Sequence, residues 1–509
     1  MSIRVVMAVN NPATNDYRVV KSAEMVARAG FDCHVVGVMK HGYKENEIIN
    51  GVTYHRVNVK PCLTGFIAGV SIKAFLFFNK EVSITENVGQ SNKKNRKNRL
   101  MSLPFIKLVN DRVWLLKKQV KNSTPSFYKI ILPFHIPLSS VLKCIRKTVS
   151  SVLKFIRKVS DFTRYVLNKI LSLIKRKLRP EHSSIGVKYL QGNYLAGFYN
   201  KLLILNADIY HAHELWMLES CSLVSTLLGK KLIYDSHELE VHRNNSWSSK
   251  SNKTRCGYEE QYINSASSVF AVSNGCAREI EKQYGLKEVL LLRNTPLLSS
   301  LKTTNKKLRE TLKIDVDTKV LIYTGSVTFN RGLDVVLKAL VHLQDYVLVT
   351  VGPWNERVKN ELECSAIELK VKGRFFMHNK VSPQELISLI SGGDIAVIPI
   401  RDACLSYRYC MPNKLFEAAF AGLPIVASDL PDMKEFIVDN DLGFTFENDN
   451  EDSLINAIKN IERNNYHLKV QGNCEKISKE YCFEKESEIL INKYYELIGA
   501  PNSAVNAAA

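Results

Sequence analysis

The stretch MPNKLFEAAFAGLPIVASDLP, Met411 to Pro431, reads as a short loop, one amphipathic helix, a tight Ala-Gly-Leu-Pro turn and a buried strand. Pro412 fits the first helical turn, where a missing N–H would have had no intrahelical partner. Asn413 and Lys414 follow at the helix N-terminus, where free N–H groups and the positive dipole end favour an anion. Glu417 comes three residues after Lys414, so the two share a helix face. Gly422 ends the helix, and Leu423 to Ala427 suits a parallel strand buried on both faces. This arrangement could hold a nucleotide, with phosphate on the amides and Lys414 and ribose hydroxyls on Glu417. The same residues also describe a capped helix with a surface Lys–Glu pair.

A chain of 509 residues is too long for one core and implies two domains of ordinary size plus extra material. At 45% hydrophobic residues with 15 prolines it is globular rather than disordered. The opening MSIRVVMAVN lacks a signal peptide's long apolar core, because polar Asn10 and Asn11 follow at once. The longest apolar run, Thr64 to Phe78, is broken by Lys73 and falls short of a membrane span. Eleven scattered cysteines, an odd number with no C-x-x-C pair, point to reduced thiols in a cytosol and away from a zinc site. No metal ligand set is expected.

The net charge of +20 is concentrated in one place. Residues 91–180 carry 23 Lys and Arg against Asp111 and Asp161, and the other 419 residues sum to −1. Within this segment VLKCIRK, from Val141, returns as VLKFIRK after 11 residues, about three helical turns, so both copies show one face. Val141, Ile145, Val149, Val152, Ile156, Val159, Phe162, Val166, Ile170 and Ile174 trace an apolar stripe, with the cations mostly off it. A long helix of this kind suits an anionic membrane surface through residues 141–179. Its alternatives are packing on its own protein or binding nucleic acid; the aliphatic content beside the cations favours lipid, and no nucleic acid is expected.

The chain opens β-α-β. Ile3 to Val9 is a buried strand, Asp16 caps a helix that carries Arg18 in its first turn, and further strands follow at Phe31–Val38 and Val52–Val59. The loop from Asn10 to Asn15 has no G-x-G-x-x-G, so a dinucleotide site is unsupported there. After the insert, two strands end in His211-Ala212-His213-Glu214 and Asp235-Ser236-His237-Glu238. Two successive strand ends finishing in His-Glu bring His213, Glu214 and His237 to one sheet edge as active-site candidates. Arg293 to Pro296 reads as a linker, and the second half restarts with strand Val320–Tyr323, then Gly325-Ser326 and Asn330-Arg331-Gly332 opening a helix, again an anion site.

The order of Tyr323-Thr324-Gly325, Arg331-Gly332, Pro412-Asn413-Lys414-Leu415-Phe416-Glu417, Gly422-Leu423-Pro424 and Ala427-Ser428-Asp429-Leu430-Pro431 resembles the donor half of the family 4 retaining glycosyltransferases, in a branch with a PNKLFE motif. Asp16-x-Arg18-Val19, His211 to Glu214 and Tyr234 to Glu238 resemble their acceptor half. The likeness covers the chain except the insert and the tail. It implies an α/β GT-B fold: two Rossmann-like parallel-sheet domains facing across a cleft, with a basic amphipathic helical insert in the first. The expected division is an acceptor-side domain over 1–295 (insert about 60–186, basic part 91–180), a nucleotide-sugar domain over 296–480, a helix over 481–499 packing back on the first domain, and a disordered tail over 500–509.

By the same resemblance, the activity is metal-independent, anomer-retaining transfer from a UDP- or GDP-sugar to a glycan or polyprenyl-linked acceptor, at the cytoplasmic face of a membrane and in surface polysaccharide synthesis. Arg331 would hold the donor pyrophosphate and Glu417 the ribose, with Met377 and His378 facing the base. Amides near Pro412 and Asn413 would approach the sugar, and His213 falls where the family has an active-site histidine. The family's glycine-arginine pair is Gly325-Ser326 here, and its two glutamates eight positions apart fall on Tyr409 and Glu417. Rival readings are a GT-B epimerase or phosphorylase, or a glycan-binding scaffold on a catalytically dead transferase fold.

If the insert binds lipid, changing Lys154, Arg157, Lys158, Lys175, Arg176 and Lys177 to Gln removes about 1 kcal/mol of attraction per cation. Sedimentation with anionic vesicles should then lose the protein to the supernatant, with nucleotide affinity unaltered. Continued pelleting in moderate salt would favour packing on its own domain.

Overall fold

Two helix-covered sheets are seen in a computed structural model, which describes residues 2–14, 16–59, 195–244, 249–300 and 307–499. The insert expected over 60–186, its membrane-facing part 141–179 and the tail 500–509 lie outside the described residues. Residues 1–58 and 207–509 form one compact unit that contains both sheets, and 59–206 form a second. In the second unit the helix Ala196–Leu205 is described, closed by Asn206 in the left-handed region at φ 44°.

The first sheet comprises β1 (Arg4–Ala8), β2 (Asp32–Val38), β3 (Asn46–Ile49), β4 (Val52–Val57), β5 (Ile209–His213), β6 (Lys231–Ser236), β7 (Ser268–Ala271) and β8 (Leu290–Leu291). Its order is β3-β4-β2-β1-β5-β6-β7-β8, parallel throughout except for the β3–β4 hairpin at one edge. That hairpin turns at Asn50-Gly51, both residues at positive φ, as a type I′ turn demands. The second sheet holds β9 (Lys319–Thr324), β10 (Tyr346–Val351), β11 (Phe375–His378), β12 (Ile395–Ile398), β13 (Ile425–Ser428) and β14 (Gly443–Phe446), in the order β11-β10-β9-β12-β13-β14 and wholly parallel.

Continuous apolar runs make these strands because both sheet faces are covered. On β9, Val320 and Ile322 enter one core with Leu415 and Phe416, while Leu321 and Tyr323 enter the other with Val336 and Leu340. The helix Phe483–Ile498 returns to the first sheet, where Phe483, Leu490 and Tyr494 join the core of Val5, Met7 and Ile209. Tyr495 Oη donates to the Ala29 carbonyl at 2.8 Å.

The strand order reverses at β1, flanked by β2 and β5, and at β9, flanked by β10 and β12. Loops leaving the carboxyl ends at such points diverge and leave a crevice. The two halves touch beside it. Ser273 Oγ donates to the Tyr409 carbonyl at 2.6 Å, and the Gly275 amide donates to Asp432 Oδ1 at 2.9 Å. Asn244 Nδ2 donates to Tyr407 Oη at 3.2 Å and accepts on Oδ1 from Asn330 Nδ2 at 2.8 Å.

The loop after β9 depends on Gly332. It has φ +68°, and a Cβ there would stand 1.9 Å from the Pro399 carbonyl oxygen. Gly332→Ala should cost about 2–4 kcal/mol through backbone strain and displacement of that contact. Chemical denaturation measures this, and an unchanged midpoint would refute the docking of this loop on Pro399.

Candidate active site at the carboxyl edges of the two sheets

The first sheet contributes a charged cluster centred on a residue absent from the expected set, Asp235. It lies one residue before the end of β6, is fully buried, and receives Arg18 Nε at 2.9 Å and Nη2 at 2.6 Å. Arg18 reaches it because Asp16 caps the helix Tyr17–Arg28, accepting from the Val19 amide at 3.3 Å and from Asn11 Nδ2 at 2.9 Å. The same guanidinium donates to the Leu292 carbonyl at 2.8 Å, so one side chain joins the starts and ends of distant elements.

Two imidazoles share that carboxylate. His213 Nδ1 lies 3.2 Å and His237 Nε2 3.3 Å from Asp235 Oδ2, and these two nitrogens are 3.1 Å apart. Burial lowers the pKa of His237, but Asp235 outweighs it and raises the group to about 10, so His237 is an imidazolium at neutral pH. Burial keeps His213 below the usual histidine range against the opposing pull of Asp235. His213 is therefore neutral, and its Nε2 has no partner among the described residues. Glu214 stands 3.6 Å from His237 Nδ1 and 3.5 Å from Arg243 Nη2. Burial raises its carboxyl pKa, yet His237 and Arg243 outweigh that and hold it low. Glu214 also sits at φ +61°, an uncommon conformation for a residue with a side chain, at the turn from strand to helix.

His211, His213 and Asp235 bring three possible metal-ligand atoms within 4.8 Å of one another. Asp235 already spends both oxygens on Arg18, and His211 Nδ1 is 2.6 Å from Tyr494 Oη. The set fits a structural cluster better than a metal centre.

The second sheet contributes an edge with unpartnered basic nitrogens. Lys414 is 8% exposed, and its Nζ has no hydrogen-bond partner among the described residues; it lies 3.6 Å from the centre of the Tyr323 ring. Glu417, partly buried, accepts from Thr324 Oγ1 at 3.1 Å. This removes the surface Lys–Glu pair from consideration: Lys414 is inside, and Glu417 is bonded elsewhere. The Arg331 guanidinium lies 4.9 Å from the Tyr407 ring centre, with a buried Nε that has no partner among the described residues. Two expectations need correction. Pro412 is the N-cap of the helix Asn413–Phe420, at φ −73° and ψ 146°, rather than a residue of its first turn. Arg331 precedes its helix, which begins at Leu333 after Gly332, because Asn330 and Gly332 both take positive φ.

The remaining expected residues sit around this edge. Gly325, at φ +98°, places its missing Cβ 3.4 Å from Lys414 Nζ. Ser326 is exposed, and its carbonyl accepts from Tyr323 Oη at 3.0 Å. Asn413 is exposed at the helix start. Met377 and His378 end β11, one strand beyond β10, paired with Thr350 and Val351. Tyr409 does not enter the donor edge. Its ring packs so closely on Gly275 that a Cβ there would lie 2.2 Å from Cδ1. Besides Asp235, sequence reasoning missed Lys21, whose Nζ donates to the Thr295 carbonyl and whose burial lowers its pKa to about 7. Asp235 had a signal, an acid two residues before the histidine of a strand-end motif; Lys21 had none.

Residues 304–480 match the family model described as glycosyl transferases group 1. A D-inositol 3-phosphate glycosyltransferase from Xylanimonas cellulosilytica is 27% identical over 194 residues, 36% of this chain. The chain spans 45% of that relative's length. Among solved structures, a sucrose-phosphate synthase from Thermosynechococcus elongatus superposes with a TM-score of 0.62 at 12% identity, covering 98% of this chain and 100% of that one. WaaG, a glycosyltransferase involved in lipopolysaccharide biosynthesis, gives 0.56 at 12% identity over 96% and 99%. HepE from Anabaena in complex with UDP gives 0.52 at 16% identity over 61% and 84%. The fold is GT-B, two Rossmann-like parallel-sheet domains, and its second half carries the match to glycosyl transferases group 1.

Proposed function

We propose that this protein is a metal-independent, anomer-retaining glycosyltransferase that moves a sugar from a UDP- or GDP-sugar to a glycan or lipid-linked acceptor. The observation that carries the reading is the donor edge itself: Lys414 and Arg331, both with nitrogens lacking partners among the described residues, beside Glu417 at the switch point of a sheet whose domain matches glycosyl transferases group 1. Solved relatives of the same fold hold UDP and UDP-glucose, which supports a nucleotide-sugar donor.

Departure of a nucleoside diphosphate concentrates charge on its phosphate oxygens. Arg331, Lys414 and the free amides after Pro412 would stabilise that charge more in the transition state than in the ground state. Glu417 would bind ribose hydroxyls, and Met377 and His378 would flank the base. The new bond forms between the acceptor oxygen and the anomeric carbon as the carbon–phosphate oxygen bond breaks, and the acceptor's proton passes to the departing diphosphate. His213, neutral and with Nε2 unpartnered, would orient the reacting sugar. The imidazolium of His237, flanked by Asp235 and Glu214, would sit in support. Neither carboxylate is free to act as a nucleophile, because Arg18 occupies one and His237 and Arg243 hold the other. That supports retention by front-face attack. The basic insert supports an acceptor at the cytoplasmic face of a membrane.

Arg331→Ala should lower turnover about 10²- to 10³-fold, as loss of one transition-state donor does. Glu417→Gln should mainly weaken nucleotide binding. Steady-state kinetics following nucleoside diphosphate release with a lipid-linked acceptor tests both, and unchanged constants in the two variants would remove the donor-site assignment.

Because Arg18 takes both oxygens of Asp235, the carboxylate of the candidate ligand group found among the described residues, activity should survive excess EDTA. Strict dependence on added Mn²⁺ or Mg²⁺ would overturn the metal-independent mechanism.

A further inference from the structure

Lys414 stands in an environment that disfavours its own charge. It lies in the first turn of the helix Asn413–Phe420, at the positive end of the dipole. The groups facing it are few. Glu417 on its own helix gives its carboxylate to Thr324, and the Cys410 thiol in the preceding loop is pushed up to about 12 by burial and stays neutral. Arg331 adds like charge from the loop after β9, and β9 itself offers the Tyr323 ring and the Thr324 hydroxyl. None of them accepts a hydrogen bond from Nζ. Burial, then the Arg331 charge, hold the amine well below the ordinary lysine range, and Glu417 pulls the other way without reversing it. A buried ammonium without an acceptor is costly, and the cost disappears if the amine gives up its proton or an anion arrives. Ser326 occupies the position where the resembled family carries an arginine, so this edge has one fixed cation fewer.

We propose that Lys414 supplies the second phosphate cation by taking up a proton as the donor's diphosphate settles, making donor binding and proton uptake one event at this site. The inference rests on the donor-site reading above. Gly325 puts no side chain beside Nζ, so none has to move aside there for a diphosphate oxygen to reach the amine. The proton comes from solvent on binding and returns to it when the nucleoside diphosphate leaves. Since the empty site holds the neutral amine and the occupied site the ammonium, affinity falls as pH rises between the two titration points.

Isothermal titration of the full chain with UDP, and with GDP, tests this at about pH 8, well above the second phosphate ionisation near 6. Two buffers of different ionisation heat should give apparent enthalpies that differ by the uptake of up to one proton per nucleotide. Lys414→Met should abolish that uptake, weaken binding about ten- to a hundredfold and flatten the pH dependence. Should the variant fail to fold, the wild-type titration decides alone. Binding without proton exchange, or uptake unchanged in folded Lys414→Met, would overturn the proposal. Binding of neither nucleotide would instead overturn the donor-site reading, and this inference with it.

Discussion

The buried Asp235 carboxylate organises the first half of the molecule. In low dielectric a bare carboxylate is too costly to bury, so it must be answered by cations and hydrogen bonds. Arg18 supplies a two-point answer from the helix after β1, and His237 and His213 complete it from the ends of β6 and β5. Three loops at the carboxyl edge of the sheet are thereby held in one geometry. The same arrangement divides the protonation states: one imidazole charged, its neighbour neutral. A pair of like histidines becomes a pair with different chemistry.

The second half solves the opposite problem. Its edge holds the Arg331 cation and the unpartnered Lys414 amine with no anion paired to either among the described residues, since Glu417 turns to Thr324 and Arg331 to the face of Tyr407. Such an edge is poor in self-satisfied contacts and correspondingly ready for an anionic ligand. The asymmetry between a closed cluster on one sheet and an open one on the other supports the proposed division of labour, with acceptor chemistry on the first and donor binding on the second.

Tyr409 ties the loop before Pro412 to the first half of the molecule. The resembled family places a glutamate there, but here the backbone carbonyl takes Ser273 and Cys276, and the ring covers Gly275. Asp432 accepts the Gly275 amide in the same contact. The loop leading to Pro412 is thus anchored to the other half of the molecule, and the helix bearing Lys414 and Glu417 starts from that anchor.

Much of this was determined by the sequence alone. Apolar runs such as Val5–Val9 and Ile395–Ile398, the Asp16 cap, and the glycines after strands are local signals, and they set the β/α alternation and the two sheet edges, one with His213 and the other with Arg331, Lys414 and Glu417. The tertiary structure decided what those residues meet. Arg18 finds Asp235 at a separation of 217 residues, and His211 finds Tyr494 at 283. Lys414 and Glu417, neighbours on one helix turn, part company because Thr324 on β9 takes the carboxylate and the Tyr323 ring covers the amine. Periodicity reports which face of an element is buried, but a charge's state follows from the partners that chain folding brings to it. Those partners come from the packing of distant strands, which no local pattern encodes.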